Sequence, residues 1–548
     1  MKACFPVRHD SGRAPWSLAR CVVAIALLLV PSFALAHGKG KEHRGGIQHI
    51  IVIYQENWSF DSLYGLFPHA NGLSRSSLTS LGQRDRLTGR LYIDQMGQPY
   101  DLVSGSLSLT TPPQPINNNV SPAQIDTRFP ADLNTLFPYN LATQANLQPS
   151  DKTGDIVHRF WQEQSQINHG KMNRFVTWSD NPGLVMSYFD ATNLPEGKLA
   201  QQYTMCDNFF HAAFGGSFLN HQFLVAAAAP VYPNAPGSLQ ATLANDGQLA
   251  LDPTTGKIVH DGTITPIGGP SFAVRGATFD KNYAINTIFS VNMVPTFSTV
   301  GSTSLLPSQN DSDPSDPVRP YIPTIGDRLS EKHVSWKWYS GGWDNALASS
   351  PSNPANNGVV PPNPPVDPLF QWHHQALAYY DNYAPWVKGQ RNPVSAEHLQ
   401  DENNFFLDLQ NHSLPSVVFI KPLGPNNEHP GYADLQQGQQ HVADIVDAVK
   451  NSEYWDSTLI IVTYDEHGGR WDHVSPPNSL GIWGNGSRVP GIVIGPFAKR
   501  HFVDHSRHDT LSILKTIEEV FGLKPLNKLD AHASSLSSSL SFGGKEGH

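Results

Sequence analysis

Two stretches more than 400 residues apart share one design, and that design limits what the chain can fold into. The run Leu459-Ile460-Ile461-Val462-Thr463-Tyr464 is mostly apolar or β-branched and ends in Asp465-Glu466-His467-Gly468-Gly469. The run Ile47-Gln48-His49-Ile50-Ile51-Val52-Ile53-Tyr54 ends in Gln55-Glu56-Asn57. Each reads as a buried strand with polar side chains at its carboxyl end. Open α/β sheets gather ligand chemistry at that end of their strands. If both strands lie centrally in one parallel sheet, their tips bring Glu56, Asn57, Asp465 and Glu466 to one place. Carboxylates there suit a hard or borderline divalent cation, and the glycines let backbone approach closely. Taken alone, either stretch also reads as a strand followed by a plain polar turn.

The first 36 residues stand apart. Lys2, Arg8, Arg13 and Arg20 precede the apolar run Cys21–Val30, and Ala34-Leu35-Ala36 follows as a small-residue cleavage site. This is the pattern of a secretory signal peptide, with the mature chain expected in the periplasm or outside the cell. The apolar run is short for a membrane anchor, and no later stretch suits a bilayer span. Removing four basic residues and one acid takes the formal charge from -10 to -13. An acidic chain without a Lys/Arg block offers no footprint for nucleic acid. Of three cysteines only Cys206 lies beyond the leader, which excludes an internal disulfide and reads as a buried thiol.

The remaining chain is long for one domain, yet proline and glycine, 44 each, are spread rather than pooled into a linker. The expectation is one catalytic domain over 37–530, with insertions around 77–154 and 231–370 and a low-complexity, peripheral tail at 531–548. Helices are expected over much of 158–178 and over 194–202, 218–229, 438–450 and 509–521. Further strands are expected at 334–339, 414–420 and 489–496. The order strand 414–420, helix 438–450, strand 459–464 is that of a βαβ unit.

Ser217 stands behind Gly215-Gly216 at the start of the helix that Pro230 ends. A helix start presents unpaired N–H groups and the positive end of the dipole to an anion; an ordinary capping serine is the alternative. No Gly-x-Ser-x-Gly elbow surrounds it. A hydroxyl activated by a cation and attacking phosphorus fits these parts better, with a histidine protonating the departing alkoxide.

Five stretches then resemble those of a known family. They are Gln55-Glu56-Asn57-Trp58-Ser59-Phe60-Asp61, Gln162–Met172, Gly215-Gly216-Ser217-Phe218-Leu219-Asn220-His221-Gln222, Asn427-Glu428-His429-Pro430-Gly431-Tyr432 and Thr463–Gly469. In this order they resemble the bacterial phosphoesterases that include secreted acid phosphatase A and the non-specific phospholipases C. The stretches at 162–172 and 215–222 look nearer the acid phosphatase branch.

The resemblance implies an alkaline phosphatase-like α/β fold, a three-layer sandwich around a mostly parallel sheet with long loop insertions. It implies that Ser217 is the nucleophile of a phosphoserine intermediate. It implies that Glu56, Asn57, Asp465 and Glu466, completed by the Ser217 hydroxyl, hold a divalent ion (Ca, Mg, Mn, Fe or Zn). His158 resembles the histidine that steadies the phosphoryl oxygens, His429 the general acid, and His373 and His374 pocket-lining residues. His508 is read either as a ligand of a second metal or as core. Trp58 stands where phospholipase relatives commonly carry arginine, with a narrower pocket or altered head-group contacts expected. The activity implied is that of an acid phosphatase on small phosphomonoesters. Phospholipase C action on a phosphatidylcholine-type diester is the first alternative, and a non-catalytic surface binding protein the second. The Cys/Ser-x-Pro-x-Arg pattern of sulfatases is absent at Ser217.

Overall fold

The computed structural model describes residues 46–73, 82–84, 128, 138–233, short stretches between 241 and 285, 322–350, 353–357, 367, 369–387 and 389–542. The leader at 1–36 and large parts of the insertions expected at 77–154 and 231–370 lie outside the described residues.

Eight strands form the main sheet: β1 (His49–Gln55), β2 (Thr204–Cys206), β3 (Trp336–Ser340), β4 (Leu399–Asp401), β5 (Val417–Lys421), β6 (Thr458–Tyr464), β7 (Gly491–Ile494) and β8 (Phe502–Asp504). Their spatial order is β4-β3-β5-β1-β6-β7-β2-β8. All neighbours are parallel except where β7 pairs antiparallel with β6 and β2. The β-branched runs of β1 and β6 lie side by side at the centre, buried on both faces. Their register runs from His49 opposite Thr458 to Gln55 opposite Tyr464. Glu56 and Asp465 therefore leave the sheet at the same level. On the other flank Ile53 stands opposite Ile420, which sets Lys421 level with Tyr54.

Alternation along the two central strands separates the helices into two layers. Tyr54 meets helix α4 (Ser217–Ala226), its ring 4.9 Å from that of His221. The next residue, Gln55, faces the opposite side. So does its register partner Tyr464, whose hydroxyl donates to Glu196 of α3 (Pro195–Gln202) at 3.1 Å. Helix α5 (Leu435–Lys450) lies beside α3, and α6 (Thr510–Phe521) beside α4. The sheet between these layers is the expected three-layer sandwich.

Local signals explain the helix limits. Asp434 accepts from Gln437 N, so α5 begins three residues before the expected start, and it buries Val442, Ile445, Val446 and Val449. The helix expected through much of 158–178 is shorter. Helix α2 (Phe160–Ile167) stops where Asn168 turns left-handed at φ 46, and only a 3₁₀ turn follows at Val176–Trp178.

The serine-rich tail packs onto the fold as far as Leu540. Leu536 and Ser539 are buried, and Leu540 bridges to Ala498. Ser538 and Ser539 donate to Asp504 at 2.6 and 2.7 Å, and the buried Cys206 thiol lies 3.3 Å from the Ser539 hydroxyl. Low complexity hid this packing because the anchoring acceptor, Asp504, is supplied by a distant strand.

Candidate active site

The nucleophile position is built by a turn that needs glycine. Gly215 has φ +91, and a Cβ there would run into the backbone of Arg159 and Phe160. Gly216 is the cap of α4, so Ser217 is its first helical residue and not a capping serine. The Ser217 hydroxyl instead points to Glu56 Oε2 at 3.4 Å and Asn57 Oδ1 at 3.5 Å. Behind the turn, buried Glu163 accepts from Gly215 N at 2.7 Å, from Ser487 N at 2.8 Å and from the Ser487 hydroxyl at 3.0 Å. His211 Nε2 lies 2.9 Å from the same carboxylate.

The strand tips meet as their register requires. Asn57, left-handed at φ 67, donates its N–H to Asp465 Oδ1 at 3.3 Å, and Glu466 N donates to the same oxygen at 2.8 Å. Gly468 N donates to Glu466 Oε2 at 2.6 Å, and a Cβ on Gly468 would collide with the Asn57 carbonyl. Glu56, Asn57, Asp465 and Glu466 are all fully buried. Burial and the charge of Glu56 hold Asp465 well above the usual carboxylate range, and burial and the charge of Asp465 do the same to Glu466. Burial opposes ionisation of Glu56 too, but His374 and Lys421 more than offset it and hold that group well below its usual value.

This donor set fits a divalent cation. It offers carboxylate, amide and hydroxyl oxygens, and Asp465 Oδ2 and Glu466 Oε1 are buried without a hydrogen-bond partner. A positive charge among Glu56, Asp465 and Glu466 would remove the repulsion that raises the last two. Histidine donors are at hand: Glu56, His221 and His374 place one ligand atom each within 4.8 Å of one another.

The two histidines expected to act on phosphate flank this centre. His158 turns Nδ1 to the Ile156 carbonyl, leaving Nε2 3.3 Å from Asn57 Nδ2 and 3.5 Å from Glu466 Oε1. His429 turns Nδ1 to the Pro430 carbonyl, with Nε2 3.9 Å from Glu56 Oε2. Its ring is stacked on Tyr432 and centred 6.0 Å from that of His158. His374 Nε2 is 2.8 Å from Glu56 Oε1, and His373 packs against His374. Burial lowers His374 to about 4 in spite of Glu56.

Three expectations change or sharpen. Trp58 does not line the pocket: it is buried, donates to the Glu428 carbonyl at 2.9 Å and carries the Arg470 guanidinium 4.0 Å over its ring. His508 pairs with Asp504 at 3.3 Å and Ser538 at 3.0 Å in the tail anchor. Lys421 lies just past the strand expected at 414–420, yet its ammonium pairs with Glu56 and donates to the Tyr54 carbonyl at 3.1 Å. The available signal was a lysine closing an apolar strand parallel to β1. Asp155 was also missed. It lies 3.6 Å from His158 Nδ1, and burial raises it to about 6.

The Phosphoesterase family matches residues 47–524, which includes every residue of this centre. The chain belongs to the Phosphoesterase family. As a Phosphoesterase family member it is a phosphoric ester hydrolase. Phospholipase C B of Mycobacterium tuberculosis is 24% identical over 95% of this chain and 82% of its own length. Non-specific phospholipase C4 of Arabidopsis thaliana is 34% identical over 30% of this chain and 37% of its own length. A solved structure described as a protein in the alkaline phosphatase superfamily from Vibrio parahaemolyticus is 10% identical. It has a TM-score of 0.29, covering 72% of this chain and 76% of that one.

Proposed function

We propose that the protein hydrolyses phosphoesters through a phosphoserine at Ser217. The observation that carries this reading is the Ser217 hydroxyl, at the first position of α4, 3.4 Å from Glu56 and 3.5 Å from Asn57. Glu56, Asn57, Asp465 and Glu466 would hold the cation with that hydroxyl. When bound, the ion offsets the carboxylate and phosphoryl charges and lowers the hydroxyl pKa. The N–H groups of the first turn of α4 face the phosphoryl oxygens. The Ser217 oxygen forms a bond to phosphorus, the ester oxygen leaves, and His429 Nε2 gives that oxygen its proton. His158, its Nδ1 held by the Ile156 carbonyl, sets Nε2 beside the phosphoryl group. Water then attacks phosphorus, its proton passing to His429, the bond from phosphorus to Ser217 breaks, and the serine oxygen recovers from solvent the proton it gave up on attack.

Two substrate classes follow from two observations. The motifs at 162–172 and 215–222 support an acid phosphatase acting on phosphomonoesters. The phospholipase C names of relatives aligned over most of the chain support a lipid diester. No helix among the described residues is long and apolar enough to cross a membrane. The leader pattern supports action in the periplasm or outside the cell. The deciding assay follows p-nitrophenyl phosphate and phosphatidylcholine in parallel, with wild type and Ser217→Ala. The reading requires one class to be turned over and the variant to lose at least about 10³-fold in kcat at unchanged melting temperature. Full activity in Ser217→Ala on both substrates would overturn it.

A further inference from the structure

On the face of the sheet opposite Ser217, two acids are buried against each other. Glu196 opens α3 and Glu428 precedes His429, and both are fully buried. The Tyr464 hydroxyl sits 2.7 Å from Glu428 Oε2 and 3.1 Å from Glu196 Oε2. Gln55 Nε2 donates to Glu428 Oε1 at 3.0 Å. From α5, Gln439 accepts from Glu196 N at 3.2 Å and donates to the Tyr64 hydroxyl at 3.3 Å. Gly438 leaves the space that Glu428 fills, since a Cβ there would overlap the Glu428 side chain. The titratable groups facing the pair are Tyr64 from α1 (Phe60–Tyr64) and Tyr464 from β6. Among the described residues neither acid forms a salt bridge.

Two buried carboxylates that share one hydroxyl disfavour each other's charge. Burial raises Glu196 to about 7, and burial with the neighbouring Glu196 raises Glu428 well above the usual carboxylate range. The pair thus keeps a proton through neutral pH. Its holders matter because each is the immediate neighbour of a site residue. Gln55 precedes Glu56, Tyr464 precedes Asp465 and Glu428 precedes His429. Glu428 is itself left-handed at φ 70, a conformation that needs such fixing.

We propose that the buried Glu196–Glu428 pair, joined through the Tyr464 hydroxyl, positions His429 against the leaving group, with Glu196 a positioning residue that acts through Glu428. This rests on the reading of His429 as the general acid. A p-nitrophenolate leaves without help from an acid, whereas an alkoxide needs it. The test therefore compares p-nitrophenyl and alkyl esters of the phosphoryl class that the metal-loaded enzyme turns over. It uses wild type, Glu196→Ala and Glu196→Gln across pH 5–9. Glu196→Ala is expected to lower kcat on the alkyl ester at least about 10-fold. On the p-nitrophenyl ester it should change kcat less than about 3-fold, with KM little altered on either. Glu196→Gln keeps a neutral hydrogen-bonding partner for Glu428. It should restore alkyl ester turnover and remove the alkaline fall that loss of the pair's proton produces in wild type. Equal losses on both esters, or a pH profile of Glu196→Gln that matches wild type, would overturn the proposal. If Glu196→Ala does not fold, the pH profile of Glu196→Gln decides. Failure of the underlying hydrolase reading shows separately, as a wild type that cleaves neither class or a Ser217→Ala variant that cleaves both esters.

Discussion

Lys421 and Glu56 form an ion pair from which solvent is wholly excluded, and the same carboxylate turns its other oxygen to Ser217 at 3.4 Å. One fixed positive charge therefore keeps Glu56 ionised at the centre of a site crowded with acids. The lysine also ties β5 to the end of β1 through the Tyr54 carbonyl.

Lys421→Met should therefore damage both fold and catalysis. Leaving one member of a buried pair uncompensated costs about 3–5 kcal/mol. Chemical unfolding should show a loss of that size, and kcat/KM should fall with it. A variant as stable as wild type would show that the pair carries no weight.

Chelation gives the second expectation. Dialysis against a chelator should abolish turnover, and one divalent ion added back should restore it. An ion at a hundredfold excess over its Kd stabilises by about 2.7 kcal/mol, so the melting temperature should rise on reloading. The same addition to a Glu466→Gln, Asp465→Asn double variant should leave its melting temperature unmoved.

A third expectation concerns pH and a cluster remote from the nucleophile. Arg488 bonds Asp61 at 3.0 Å and Asp472 at 2.9 Å, and His473 Nδ1 lies 2.6 Å from Asp61. Burial works against charge on His473, but Asp61 overcomes it and raises its pKa. Burial likewise opposes charge on Asp61, and His473 with Arg488 lowers it. The histidine's contribution is complete below its unfolded pKa of about 6.5 and fades as pH rises through the raised folded value. The aspartate's contribution is present above about 3.9 and fades as pH falls through the lowered folded value. His473→Asn should thus lower stability by about 1.5–3 kcal/mol at pH 5.5 and by less at pH 8.5. Denaturant titrations at the two pH values measure the difference, and an equal loss at both would refute the pairing.

The tail supplies the fourth. A chain ending at Ala533 loses the buried Leu536 and both serine hydroxyls on Asp504. Burying one leucine is worth about 1.5–3 kcal/mol. Loss of at least that much stability is expected, with kcat on the full set of substrates unchanged at 25 °C.

The central strands and their order of use were legible because their period and their polar tips are local facts. Glu56, Asn57, Asp465, Glu466 and Ser217 could be placed together from two apolar runs and one glycine turn. Lys421 could not, because its partner is fixed by which strand flanks β1, and strand order is not written in any one stretch. Trp58 was misplaced for a similar reason. The chain turns left-handed at Asn57, which sends the next side chain inward against Arg470. The tail's serines looked solvated because their acceptor belongs to β8. The Glu196–Glu428 contact joins a helix start to a loop more than 200 residues later, a distance over which composition says nothing.

The position of β1 has a consequence for biosynthesis. Its two neighbours begin at Val417 and Thr458, so the strand is made more than 300 residues before either of its partners. Until they emerge, an apolar strand with open edges is left unpaired, an invitation to clump. Until β5 and β6 emerge, Glu56 and Asp465 cannot meet, so the nascent chain is expected to carry no premature activity.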